Sequence, residues 1–241
     1  MKVLILGASG ATGKQVIAQL IKRGINLRIV TRKNAVIPEE LCKNNLVEQI
    51  TGNIADFDSM ANKTLINECD AVVFCLGHNI SIKGILGKPR LLVYQSLKNV
   101  CEAIIQCSSK KIKVILMSTV AYDYKKINEE RSLSERIILS ILTLLLPPQK
   151  DNVWAANYLS GTIGQSNEKV EWIAVRPDSL IDNDDVSPYE VFESIQRNPI
   201  FNPGKTSRIN VGHFMTELIT DNELWGKWKN KMPVVYNKEL I

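Results

Sequence analysis

Val3-Leu-Ile-Leu6 runs straight into Gly7-Ala-Ser-Gly-Ala-Thr-Gly13, and Lys14 to Arg23 then reads as a helix closed by Gly24. An unbroken apolar run suits a parallel strand covered on both faces. The glycines at 7, 10 and 13 lie between that strand and that helix. One allows a tight turn, one lets backbone amides approach a pyrophosphate, and one lets the helix pack close to the strand. The free amides and partial positive charge of the helix N-terminus then face the phosphates. Gly7, Ser9, Gly10, Ala11, Thr12 and Gly13 are therefore candidate phosphate contacts, with hydroxyl donors at Ser9 and Thr12.

Outward from this loop, apolar strands and amphipathic helices alternate. Leu27 to Val30 reads as a second strand, Val47 to Ile50 as a short third, Asp70 to Cys75 as a fourth and Lys113 to Met117 as a fifth. Helices are expected at Asp58 to Glu68 and Leu91 to Cys107. This rhythm predicts a Rossmann-like α/β fold, a doubly wound parallel sheet. After Ser118 it breaks: the next helix is expected only at Asp151 to Gly161, followed by a strand at Val170 to Val175 that Arg176-Pro177 ends. A helix near Val211 to Thr220 and a strand at Val234 to Tyr236 follow. With no repeat or linker, residues 1–241 read as one domain. The stretches 119–150, a helical insert, and 178–210 form a small substrate-side subregion.

The second strand leads into Thr31-Arg-Lys33. At this place an acidic residue hydrogen-bonds the free ribose hydroxyl of NAD. Arg32 instead suits a 2′-phosphate, which it grips through a forked, charge-assisted contact. NADP(H) is the expected cofactor in preference to NAD.

In 241 residues, 45% are hydrophobic and 23% charged, the mix of a globular protein. Thirty Lys+Arg against 25 Asp+Glu leave a net charge of +5. The positives are scattered, so nucleic acid is not an expected partner. Five cysteines without a C-x-x-C pair, and two histidines without ligand spacing, point to free thiols and no metal. The most apolar stretch, Ile137 to Leu146, is ten residues long, short of the roughly 20 a bilayer span needs. With strand-like residues from Lys2 onward, a cytoplasmic location without membrane attachment is expected.

Gly7-Ala-Ser-Gly-Ala-Thr-Gly13, Thr31-Arg32, Gly52-Asn53 and Asp70-Ala-Val-Val-Phe-Cys-Leu-Gly77 follow one another in an order that resembles the atypical short-chain dehydrogenases. That group includes the NmrA-like regulators and the biliverdin reductase B/flavin reductase proteins. Trp172-Ile-Ala-Val-Arg-Pro177 and Arg208-Ile-Asn-Val-Gly-His-Phe-Met215 extend the resemblance late into the chain. It implies that Asn53 and Ile54 flank adenine, that Leu76-Gly77 pass beside the ribose, and that Ser118 and Thr119 approach the nicotinamide.

The short-chain dehydrogenase Tyr-x-x-x-Lys pair, in which lysine lowers the tyrosine pKa for proton donation, occurs as Tyr94/Lys98 and Tyr122/Lys126. Tyr94 lies on the helix before the fifth strand, in the wrong layer, and Tyr122 follows Ser118 too closely. At the usual place the chain has Gln149 and Val153, neither able to do proton chemistry. Ser118, Tyr122 and His78 remain the candidate catalytic residues, His78 because it follows Gly77 near the expected nicotinamide edge. In the insert, Ser132, Arg136, Ser140 and Thr143 make a narrow polar stripe on a helix otherwise covered by Ile137, Ile138, Ile141, Leu142 and Leu145. That pattern suits a buried core helix, a lid or wall over the nicotinamide, or a subunit contact.

The expected function is an NADPH-dependent reductase of a small apolar or aromatic acceptor (a quinone, flavin or conjugated carbonyl), acting as a monomer or homodimer. The alternative is a non-catalytic NADP(H)-binding redox sensor.

Overall fold

The computed structural model describes residues 1–77, 90–127 and 129–238, with Lys125 described through its backbone alone. Among them, β1 (Lys2–Leu6), β2 (Asn26–Thr31), β3 (Val47–Thr51), β4 (Ala71–Phe74), β5 (Ile112–Met117), β6 (Val170–Pro177), β10 (Val234–Asn237) and β8 (Tyr189–Phe192) form one sheet. Its order is β3-β2-β1-β4-β5-β6-β10-β8. Every pairing is parallel except that of β8 with β10. The chain therefore leaves the parallel strands along one edge, and the order reverses between β1 and β4, where doubly wound sheets hold their ligands. β7 (Ser179–Ile181) and β9 (Lys205–Ser207) pair separately in parallel.

Period-two alternation along the strands divides the core. Leu4, Leu6, Val72, Phe74, Val114, Leu116 and Trp172 face one layer, which holds α3 (Ser59–Ile66), α4 (Leu92–Cys107) and α6 (Pro147–Asn157). Val3, Ile5, Ile29, Val73, Ile115 and Ile173 face the other, which holds α1 (Ala11–Lys22), α7 (Arg208–Thr220) and α8 (Asn222–Trp228). A short α2 (Glu39–Cys42) precedes β3, and α5 (Leu133–Leu145) lies in the insert. Both layers are filled by aliphatic and aromatic side chains buried to completion, the dominant favourable contribution to a fold of this kind. No helix among the described residues is long and apolar enough to cross a membrane.

Three sequence expectations change. The helix expected from Asp151 begins at Pro147, because prolines fit the first helical positions, whose amides have no intrahelical partner. Beyond Asn157 it widens into a π-helical turn, Tyr158–Ile163. β6 continues through Pro177, where the missing amide removes no ladder bond because Arg176 makes the last donation, to the Pro233 carbonyl at 2.8 Å. Finally, α5 is not a core helix. Only Glu135 and Leu139 are buried, and Leu133, Ile137, Ile141, Leu144 and Leu145 are exposed.

Candidate functional site

The three glycines do different work. Gly7 has φ +87°, and a Cβ there would lie 2.4 Å from the carbonyl of Cys75, where β4 passes beside the loop. A Cβ on Gly13 would collide with the Gly7 carbonyl oxygen at 2.2 Å, so this glycine sets the closeness of α1 to β1. Gly10 is less confined, its nearest neighbour being the Gly7 oxygen at 3.2 Å. It serves as the N-cap of α1 without a side-chain capping bond, and the first turn carries no acid. The amide of Gly10 donates to Gly7 and that of Lys14 to Gly10. Those of Ala11, Thr12 and Gly13 meet no acceptor among the described residues. Unpaired donors at a helix start, with no acid in its first turn, can form a cradle for an anion.

The ends of the neighbouring strands border this loop. Arg32 follows β2 directly, is exposed, and has no ion pair among the described residues. The amide of Gly52 donates to the Thr31 carbonyl at 2.8 Å, drawing the end of β3 to the end of β2. Asn53 then caps a 3-10 turn, accepting from Ala55 and donating to Asp56, and Ile54 turns into the core at 6% exposure. Leu76 is half-buried and Gly77 exposed where the chain leaves β4. Burial pushes the Cys75 thiol beneath the loop up to about 12, which keeps it protonated and inert.

At the end of β5, Ser118 is buried, and its hydroxyl has no partner among the described residues. Its amide is fixed by the Val175 carbonyl at 2.8 Å. A buried hydroxyl without a partner is uncommon and marks Ser118 as a candidate ligand contact. Thr119 is occupied, its hydroxyl accepting from Ala121.

Tyr122 does not pair with Ser118. Its hydroxyl donates to Asn157 Oδ1 at 2.8 Å, and burial raises its pKa, partly offset by the Ser160 hydroxyl and the Arg176 charge. Lys126 Nζ donates to the Ser160 carbonyl at 2.7 Å, so it serves the π-turn. A phenol raised by burial is the reverse of the lowered one a Tyr-Lys pair requires. His78 lies outside the described residues. His213 is bonded to Tyr189 at 2.8 Å on α7, and burial lowers its pKa. Gln149, at the place usual for the tyrosine, donates from Nε2 to the Ala121 carbonyl at 3.1 Å and ties α6 to the loop after Ser118.

Sequence reasoning missed the buried ion network that holds the insert. Glu129 pairs with Arg176 at 2.7 Å and with Arg131 at 3.1 Å, all three side chains fully buried. Arg131 also pairs with Glu135 and donates to the carbonyls of Val120 and Tyr122. Asn198 reaches Glu135 from the C-terminal region at 2.9 Å. Glu129, Arg131 and Glu135 alternate charge in a way that suits any surface segment, and only Arg176 at the end of a buried strand gave a hint. Asp151 was missed too: fully buried on α6, it accepts from the amides of Val93 and Tyr94 and so caps α4. Among the described residues, no three histidine, cysteine or acidic side chains gather as metal ligands.

The sequence matches, over residues 7–222, a family model described as NAD(P)H-binding. Among proteins of curated function none matches it. Solved structures share the fold. A short-chain dehydrogenase/reductase from Veillonella parvula in complex with NADP superposes with TM-score 0.70 at 14% identity, covering 98% of this chain and 94% of that one. An anaerobilin reductase from Escherichia coli O157:H7 gives 0.68 at 12% identity, covering 100% and 99%. A candidate NADH-flavin reductase from Streptococcus pneumoniae gives 0.67 at 13%, covering 99% and 100%.

Proposed function

This chain belongs to the NAD(P)H-binding family, and from that premise we propose that it is an NADPH-dependent oxidoreductase of a small apolar or aromatic acceptor such as a quinone, flavin or conjugated carbonyl. The observation that carries the reading is the pairing of unpartnered amides at Ala11 to Gly13 with the orphaned buried hydroxyl of Ser118 on the same sheet edge. Both fit a dinucleotide, which needs an anion cradle at its central diphosphate and a hydrogen-bond donor toward its reacting end.

In this reading the amides of Ala11, Thr12 and Gly13 receive the diphosphate, with the hydroxyls of Ser9 and Thr12 beside them. Gly10 keeps the approach open. Arg32 grips the adenosine 2′-phosphate, which selects NADPH over NADH. Asn53 and Ile54 border the adenine, and Leu76 with Gly77 the ribose. Ser118 donates to the reacting end and fixes its orientation, and Thr119 shapes the same wall. When bound, the reduced nicotinamide supplies a hydride. Because the Tyr122 hydroxyl is engaged with Asn157, Tyr122 is not assigned the accompanying proton. Solvent suffices for an acceptor reduced easily, since positioning supplies most of the rate. The five free thiols support a reducing, cytoplasmic compartment.

The engaged Tyr122 also favours a second reading, a redox sensor that holds NADP(H) without turnover. Steady-state NADPH oxidation with a panel of quinones, flavins, conjugated carbonyls and linear tetrapyrroles separates the two. Saturable turnover with any member supports the reductase. NADPH binding without turnover across the panel moves the assignment to the sensor.

A further inference from the structure

We propose that α5 is a self-association surface, through which two copies of this chain pair in antiparallel, two-fold fashion. Leu133, Ile137, Ile141, Leu144 and Leu145 are 75%, 51%, 48%, 82% and 64% exposed. At successive spacings of four, four, three and one they form one stripe along the helix. Together they present roughly 550 Å² of apolar surface, at the upper end of what a monomer leaves in one patch. That is about two thirds of the ~800 Å² each partner contributes to a standard interface, before the flanks are counted.

Three observations favour a second copy over other occupants. The stripe is nearly symmetric about Leu139: reversing the helix places Ile137 opposite Ile141 and Leu133 opposite Leu145, so the same surface is its own complement. The surface is also pre-organised. Glu135, on the opposite side of the helix, is locked by Arg131 and by Asn198 at 2.9 Å, so little order remains to be imposed on pairing. Charge points the same way. An anionic lipid surface would call for several cations around the stripe, whereas Arg136 is the only one in the helix.

The test is sedimentation equilibrium of the full chain at micromolar concentrations, beside the double variant Ile137→Asp/Ile141→Asp and the single variant Leu144→Lys. Leu144 is exposed enough that its replacement leaves packing intact, and circular dichroism checks the fold of each protein. The wild type should sediment at twice the chain mass. The double variant should weaken association at least a hundredfold, and Leu144→Lys at least tenfold. A monomeric wild type at tens of micromolar overturns the proposal, whether or not it co-sediments with phosphatidylserine vesicles. A dimer that persists in both folded variants overturns it as well, because the interface then lies elsewhere.

Discussion

Where β1 gives way to α1, polar groups stand without partners, and in the insert that follows β5 they are bound to one another. The amides of Ala11, Thr12 and Gly13 meet no acceptor among the described residues, and Arg32 is exposed without a counter-ion. Across the same sheet edge, Arg131 and Arg176 are fully buried and both paired with the buried Glu129, and Tyr122 and Lys126 spend their donors on Asn157 and Ser160. Polar groups left open at a strand end are available to a ligand, whereas those already paired brace the fold. In the proposed reading, the first region recognises the cofactor and the second braces the chain beside it.

The sharpest way to test the scaffold beneath the open loop is Gly7→Ala. At φ +87° and 2.4 Å from the Cys75 carbonyl, the added methyl should cost about 3–5 kcal/mol from left-handed strain and overlap. Urea denaturation measures it, and a loss under 1 kcal/mol would mean the loop has slack. Next in size is Glu129→Gln, which takes from the buried Arg176 its paired carboxylate and leaves Arg131 to Glu135 and Asp123. It should destabilise by about 3 kcal/mol. Unchanged stability in the same assay would show that the insert is held by packing rather than by ions.

Arg32→Glu probes the open side. Replacing a charge-assisted contact with repulsion should weaken NADPH by about 2–4 kcal/mol and spare NADH. Equal losses for both in a binding titration would break the assignment of Arg32 to the 2′-phosphate.

The smallest effect is expected from Tyr122→Phe. Turnover should fall by less than about tenfold, where loss of a true general acid typically costs 10²–10⁴-fold. Burial raises this phenol's pKa, so it stays protonated through neutral and mildly alkaline pH. The turnover profile between pH 6 and 9 should therefore carry no tyrosine ionisation. A folded, NADPH-binding variant that loses a thousandfold would turn the insert into a rebuilt catalytic loop.

The division between the two regions also governs what was readable in the sequence. The β1–α1 loop is local: strand, glycines and helix lie within about twenty residues, and each glycine answers a backbone requirement that spacing alone expresses. Arg32 can be singled out from sequence because its place is fixed by the end of a strand, β2 ending at Thr31. The insert is held instead by contacts across long separations, Glu129 to Arg176 and Glu135 to Asn198, and no periodicity encodes these. The exposure of α5 was illegible for a related reason. An apolar helix bears the same pattern whether its neighbours cover it or leave it bare. The prolines at 147 and 148 read as an end and prove to be both an end and a beginning, since the first helical turn has no use for the amide they lack.

Titration of NADPH into Gly10→Val beside the wild type tests the central claim most directly, because Gly10 is the loop glycine least confined by the chain itself. The wild type should saturate, and the variant should keep its circular dichroism spectrum while losing at least a hundredfold in affinity, since branched methyl groups would occupy the approach to the helix amides. A folded Gly10→Val protein that binds NADPH as tightly as the wild type would place the cofactor elsewhere and contradict the account.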